Sequence, residues 1–364
     1  MLRWLTLALV ACSAGEKPTA PVPTVALVLP AGPAADELRI AARVALEPTY
    51  AVTLIDEAAP RAIETIQGDP VVVAALAHLS AASVDAAAGR WRASDLPVIT
   101  LAAGTKDLLP RLAPSPLEVA RCAAGLSAGR VLLVHDGEAQ GMERAASAQG
   151  ALGDRVAEVL GLAPDTLSAD AARVVQRRPQ TVLYTGRLRQ GGDLLRLLRP
   201  QGFTAAFLAV GDDPEILFST AGGDAGDALV VTRDRAPFLR EPLDRLTTAL
   251  GKRPSGAARS VMDAATVLRA ALDLSPRQGD APPARADVAR AFDQVIGVGV
   301  GGPLALVESR PSPVQCTAYG ASGGAWTPMA AAQIGADGAI SRLDLMADAG
   351  VEAAAPAPDP NRAQ

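Results

Sequence analysis

Short, uninterrupted apolar runs alternate with amphipathic segments along most of the chain. The runs at 24–29 and 130–135 show no polar alternation, which indicates strands buried on both faces. The segments between such runs repeat apolar residues at helical spacing, as Leu188, Leu195 and Leu198 do. Buried strands that alternate with helices are typical of parallel sheets with helices on both faces. The pattern therefore predicts an α/β fold.

The chain has 364 residues, which is long enough for two domains with separate cores. The carboxyl ends of the strands in such sheets are where ligands bind, so the polar and glycine-bearing turns there are the candidate binding positions. From 297 onward the sequence is rich in glycine, and its pattern predicts short strands. The predicted strands cover 24–29, 50–56, 70–75 and 97–101 in the first half, and 130–135, 181–185, 205–210 and 228–232 in the second.

Charge and composition narrow the function classes. The formal net charge is −5, and the Arg and Asp residues are interspersed, so the sequence has no basic patch for nucleic acid. With two histidines and no acidic or cysteine cluster near them, we predict neither a metal site nor a catalytic triad. His135 and Asp136 could suggest acid–base chemistry, but a structural role is favoured. The glycines at 297–302 follow a helix and precede Pro303, which predicts a turn and not a nucleotide loop.

The first residues have the features of an export signal. Arg3 precedes a short apolar run, and Leu9, Val10, Ala11 and Cys12 resemble the lipobox of bacterial lipoproteins. The run is too short to span a bilayer. We therefore expect a signal peptide over 1–11, lipidation of Cys12 and a Pro/Ala/Thr-rich tether over 12–23. The alternative is an ordinary buried N-terminal strand. The Ala/Pro-rich tail over 346–364 is expected to be disordered.

A series of motifs, in order, resembles one family. The motifs include AHLS (77–80), LPVIT (96–100), RVLLVHD (130–136), VLYTG (182–186), AGGD (221–224), ALVVT (228–232) and IGVGVGGPL (296–304). In this order they are similar to the type 1 periplasmic solute-binding proteins, in particular the leucine/isoleucine/valine-binding branch. The resemblance covers 24–337. It implies two Rossmann-like lobes with parallel sheets, joined by a hinge of three crossings and closing on a ligand between them.

The resemblance also implies domain boundaries. The first lobe is expected to comprise 24–126, with 254–325 returning to it. The second lobe is expected to comprise 127–253, with 326–345 returning to it. The first two crossings then fall at 126–129 and 242–254.

Ligand positions are carried over from the same family. Its amino-acid-binding members hold the carboxylate with Ser/Thr hydroxyls and backbone N–H groups, and the ammonium with an acidic group and Tyr hydroxyls. This chain departs from the pattern, because alanine replaces the expected serine at 81 and the tyrosine-like positions are Gln140 and Arg187. Such a cleft fits an acidic or amide-bearing solute better than a plain branched-chain amino acid. The expected ligand-binding positions are Ser80, Ala81, Ser83, Ala103, Thr105, Gln140, Arg187 and Asp212.

The two remaining cysteines form an even pair in an oxidising compartment. Cys122 lies on the predicted last helix of the first lobe, and Cys316 lies in the segment predicted to return to that lobe. We therefore predict a disulfide between them that clamps the returning chain. The alternative is two small buried thiols.

The expected function is that of a solute-binding lipoprotein of an ABC-type importer, without enzymatic activity and without a cofactor. Its expected partners are a small polar solute, a permease and, through the lipid, a membrane of the cell envelope. The outer membrane is favoured over the inner membrane. The alternative is a binding-protein fold that has lost its ligand and acts as an envelope scaffold or regulator. The departures at the cleft positions keep that alternative open.

Overall fold

The predicted α/β fold of two lobes with parallel sheets is confirmed. The computed structural model describes residues 22–104, 109–235, 239–279, 281–322, 325–343 and 345. Two main sheets, one of four and one of eight strands, each form the centre of a lobe. Within the described part of the chain, no helix is long and apolar enough to cross a membrane.

The first sheet is entirely parallel, with the strand order β2-β1-β3-β4. Its central strands are almost completely buried because helices cover both faces. The elements of this segment are β1 (Thr24–Leu29), α1 (Pro33–Leu46), β2 (Ala51–Asp56), α2 (Ala62–Gly68), β3 (Val72–Ala77), α3 (Ala81–Ala93) and β4 (Val98–Thr100).

A later segment completes the first lobe. Its longest helix begins after Ser255, whose hydroxyl accepts a hydrogen bond from the backbone of Ala258. This helix packs against α1, and its buried face joins the core on one side of the first sheet. The elements of the segment are α9 (Arg240–Leu250), α10 (Gly256–Leu274), α11 (Arg285–Ala291), β10 (Ile296–Gly299), β11 (Gly302–Val307) and β12 (Arg310–Ser312).

The second sheet combines five parallel strands with three antiparallel ones. Its order is β15-β14-β13-β9-β8-β7-β5-β6. Helices again cover both faces of the parallel part. The elements are α4 (Pro116–Leu126), β5 (Val131–His135), α5 (Ala139–Leu152), β6 (Val156–Gly161), α6 (Leu167–Arg177), β7 (Thr181–Tyr184), α7 (Leu188–Leu198), β8 (Ala206–Val210), α8 (Pro214–Ala221), β9 (Leu229–Thr232), β13 (Val314–Ser322), β14 (Ala325–Ile334) and β15 (Ile340–Leu343).

The chain crosses between the lobes three times, but earlier than the predicted boundaries. The predicted boundaries include helix α4 in the first lobe, yet Val119 and its neighbours share a core with β5, β9 and β13. They include helix α9 in the second lobe, yet Leu246 belongs to the core of the first sheet. They include strand β13 in the first lobe, yet it pairs with β9 in the second sheet. The crossings therefore lie between Leu112 and Ser115, between Thr232 and Arg235, and at Pro313, because each connecting helix packs with the lobe it leads into.

Cys122 and Cys316 are disulfide-bonded, with their Cα atoms 6.2 Å apart. Cys122 lies on α4 and Cys316 on β13, and both are fully buried. The bond therefore joins two elements within the second lobe, and does not clamp the chain onto the first lobe as the boundaries predicted. The position of Cys12 lies outside the described residues.

Candidate functional site

A cavity of about 300 Å³ lies between the lobes, where the carboxyl ends of strands from both sheets meet. The first lobe contributes the start of α3 and the turn after β4. The second lobe contributes the first turns of α4 and α5 and the turn after β8. The lining residues are Ser80, Ala81, Ala103, Pro114, Pro116, Val119, Gln140, Arg144, Val210, Gly211, Asp212 and Arg233.

Ser80 stands at the first-lobe wall of the cavity and caps helix α3. Its Oγ accepts a hydrogen bond from the backbone N–H of Ser83 at 3.1 Å. The same Oγ donates to Ser83 Oγ at 2.9 Å, and Ser83 Oγ donates to Glu57 Oε1 at 3.0 Å. Ser83 therefore lies behind Ser80 and is not part of the lining.

The chain of hydrogen bonds continues into the lobe and fixes the direction of each proton. Glu57 Oε2 lies 2.9 Å from His78 Nδ1, and Trp91 Nε1 donates to His78 Nε2 at 2.8 Å. Because His78 Nε2 accepts from the indole, the imidazole donates from Nδ1 to the carboxylate. Glu57 thus accepts from both His78 and Ser83. Since the Ser83 hydroxyl donates its proton to Glu57, it can only accept from Ser80. The Ser80 hydroxyl therefore donates to Ser83 and presents a lone pair to the cleft.

The second-lobe wall is formed by α5 and the turn after β8. Gln140 and Arg144 lie four residues apart on α5, so both occupy the same helix face. Asp212 follows β8 and pairs with Arg233, whose Nε lies 3.4 Å from Asp212 Oδ1. The Arg233 Nη2 also donates to the carbonyl oxygen of Leu79 in the first lobe at 3.3 Å. Arg233 therefore connects the two lobes at the edge of the cavity.

Arg144 differs from the other charged residues of the lining. Its guanidinium has no ion-pair or hydrogen-bond partner in the described part of the chain, and its Nε atom is buried. Burial lowers the pKa of Arg144, and the charges of Asp212 and Asp136 oppose that shift without forming a direct contact. The second lobe thus directs an unpaired cation toward the cleft.

Arg187 is an expected ligand-binding residue, but it is paired with Asp136 and does not line the cleft cavity. Its backbone N–H and its Nε both donate to Asp136 Oδ2, at 2.9 and 3.1 Å. Asp136 is buried and also accepts from the backbone of Glu138. These contacts give Asp136 a structural role. Arg187 lines a neighbouring cavity of about 420 Å³, which shares Arg144 and Asp212 with the cleft cavity but does not include Ser80.

The structure therefore brings part of the expected site together around one cavity. That part comprises Ser80, Ala81, Ala103, Gln140 and Asp212. Thr105 lies outside the described residues. Sequence reasoning missed Arg144 and Arg233. The spacing of Arg144 from Gln140, one helical turn, was a signal that could have identified it, whereas Arg233 carried no comparable local signal.

The described lining offers hydroxyl, amide, carboxylate and guanidinium groups for hydrogen bonds to a solute. Among these described residues no nucleophile lies beside a base, since the Ser80 hydroxyl is hydrogen-bonded to Ser83. Across the described residues, no group of three or more His, Cys, Asp or Glu side chains is placed to hold a metal ion.

The fold, and not the sequence, connects this chain to known proteins. No protein-family model and no curated protein matches it. An ABC transporter substrate-binding protein from Desulfitobacterium hafniense is 16% identical, with a TM-score of 0.68 over 84% of this chain and 99% of that chain. A leucine-binding protein from Thermotoga maritima is 18% identical, with a TM-score of 0.62 over 86% and 99%. A leucine-, isoleucine-, valine-, threonine- and alanine-binding protein from Brucella ovis, in its closed conformation, is 15% identical, with a TM-score of 0.64 over 86% and 95%.

Proposed function

We propose that this chain, which has the fold of type 1 periplasmic binding proteins, is the solute-binding component of an ABC-type importer. It captures a small polar solute between its lobes and presents it to a permease. The observation that carries the proposal is the cleft cavity of about 300 Å³, lined by polar side chains from both lobes. Its volume is at the lower end of the range of small-molecule sites. Structural neighbours that are substrate-binding and amino-acid-binding proteins support the same class.

The mechanism that follows is closure of two lobes around the solute. Ser80 and the N-terminus of α3 contact one side of the solute, while Gln140, Arg144 and the turn at Asp212 contact the other. Closure removes water from both sides at once, which strengthens each polar contact. The three crossings form the hinge. The proposed function is binding without catalysis.

The proposal includes a lipid anchor that holds the protein at the cell envelope, with the outer membrane favoured over the inner membrane. Cys12, in the sequence Leu9-Val10-Ala11-Cys12, is the proposed lipidated residue. Cys12→Ala should abolish incorporation of labelled palmitate and release the protein from the membrane fraction or leave it unprocessed. Equal labelling of the parent and Cys12→Ala would contradict the anchor.

A thermal-shift screen of amino acids, amides and small carboxylates tests the proposal. A solute at about 100 times its Kd stabilises the folded state by about 2.7 kcal/mol, which raises the melting temperature by several degrees. Ala81→Trp places a large ring in the lining and should abolish the shift. Ala82→Trp, at the adjacent exposed position on α3, is the matched control and should bind as the parent does.

The second candidate is an envelope scaffold or regulator that has lost its small ligand. It is favoured by Arg233, which already links the lobes through Leu79 and Asp212, and by alanine at 81 and 103 in the lining. A scaffold would show no melting shift with any solute in the screen. It would instead retain a partner protein whose binding is insensitive to Ala81→Trp.

A further inference from the structure

We propose that the cleft selects a solute with a net negative charge, and that Arg144 pairs with its anionic group. This inference rests on the solute-binding function proposed above and defines the chemical class of the solute. It also defines the orientation of the solute, with its anionic group on the second-lobe side.

The charges of the lining carry the argument. Among the described residues, the charged side chains around the cavity are Arg144, Asp212 and Arg233. Asp212 and Arg233 form an ion pair with each other, so their charges cancel. Arg144 has no such partner, and its buried Nε makes no hydrogen bond. The lining therefore has one uncompensated positive charge.

A partly buried guanidinium without a partner has lost hydration that nothing in the protein replaces. An anionic group in the cleft would replace it with charge-assisted hydrogen bonds. The planar guanidinium fits the two oxygens of a carboxylate or the oxygens of a phosphate. Binding of an anion therefore relieves an unfavourable state of the empty protein.

A solute with an ammonium group is a poorer match. The carboxylate of Asp212, which could hold an ammonium, is already paired with Arg233. Ser80 presents a lone pair to the cleft because its proton is donated to Ser83, so it can accept from a neutral hydroxyl or amide donor. A zwitterion would thus bring a cation into a lining that is already net positive. The favoured solute is an anion that also carries a neutral hydrogen-bond donor.

The experiment uses the full chain and pairs of probes that differ in charge. Acetate, lactate, 4-methylpentanoate and succinate are each compared with the corresponding neutral amide, and leucine represents the zwitterions. Melting shifts identify binders, and titration calorimetry measures their Kd. The proteins are the parent, Arg144→Met, which keeps an apolar side chain of similar length, and Arg144→Lys. Arg92→Met removes one positive charge from an exposed position on α3 and is the matched control.

At least one carboxylate should stabilise the parent while its amide does not. Arg144→Met should weaken that carboxylate roughly 10- to 100-fold. Arg144→Lys should retain part of the affinity, because it keeps the charge but not the planar donor pair. Arg92→Met should bind as the parent does. The empty Arg144→Met protein should melt no lower than the parent, since the cation it removes has no partner.

Two results would overturn the inference while the solute-binding function stands. One is leucine or an amide that stabilises the parent and Arg144→Met equally. The other is a large fall in the melting temperature of empty Arg144→Met, which would make Arg144 a structural residue. A complete lack of shifts with carboxylates, amides and amino acids would overturn the solute-binding function, and the anion selectivity with it.

Discussion

Breaking the disulfide between Cys122 and Cys316 should destabilise the second lobe while preserving its fold. The two residues lie on α4 and β13, in one fully buried core with β5 and β9. The bond closes a loop with a sequence separation of 194. That loop contains the whole parallel part of the second sheet and the excursion of the chain through the first lobe from α9 to β12.

The magnitude follows from the length of this loop. In the chain-entropy model, a cross-link removes entropy from the unfolded chain in proportion to the logarithm of the loop length. For a separation of 194 the expression gives about 5 kcal/mol at 25 °C. Measured losses of native disulfides are about 2–5 kcal/mol. Either end of that range is a large fraction of the roughly 5–15 kcal/mol that stabilises a typical domain.

Urea unfolding, followed by circular dichroism, compares the oxidised parent with the parent held reduced by dithiothreitol. The reduced parent is the cleaner comparison because Cys122→Ala and Cys316→Ala also remove packed sulfur atoms. The reduced form should unfold at a lower urea concentration, by an amount equivalent to about 2–5 kcal/mol. Coincident curves for the two forms would refute the reasoning, since the cross-link would then not constrain the unfolded chain.

Further predictions concern the buried ion pair of the first lobe and the polarity of the cleft. Asp263→Ala should lower the free energy of unfolding by about 3–5 kcal/mol in urea titrations, because Arg235, whose Nε lies 3.3 Å from Asp263 Oδ2, would stay buried without a counter-charge; a loss below about 1 kcal/mol would contradict this. Burial raises the pKa of Asp263 above its ordinary value of 3.8, against the opposing effects of Arg235 and the Val300 N–H. The folded state therefore binds a proton that the unfolded chain releases, and the contribution of this group to stability falls as the pH rises above 3.8 through the raised pKa. Asp263→Asn should accordingly gain stability relative to the parent as the pH rises through that window, and thermal melts that keep a constant difference would exclude the shift. Ser83→Ala should strengthen binding of a solute that presents an acceptor to the first-lobe side, such as the second carboxylate of succinate, by about three- to tenfold, since the Ser80 proton could then be donated into the cleft; unchanged or weaker succinate binding in calorimetry would argue against the proposed hydrogen-bond direction.

Local sequence patterns were sufficient to predict the α/β class and most of the strands. Apolar runs such as 130–135 can be recognised from adjacent residues alone, because a strand that is buried on both faces has no position left for a polar residue. The strand at Val156–Gly161 was missed because it is an edge strand and is only partly buried. Glu158 therefore interrupts its apolar run. Local periodicity thus identifies what is fully buried, and it fails where burial is partial.

The lobe that each connecting helix joins, and the charges that meet in the cleft, depend on long-range packing. The apolar face of α4 or α9 shows that a helix packs against something, but its partner depends on how the chain crosses between the lobes. Arg187 and Arg144 have the same side chain, and both line the neighbouring cavity of the second lobe. Asp136 holds Arg187 away from the cleft cavity, whereas Arg144 lines it without a partner. That difference arises from contacts between residues far apart in sequence, which no local pattern records.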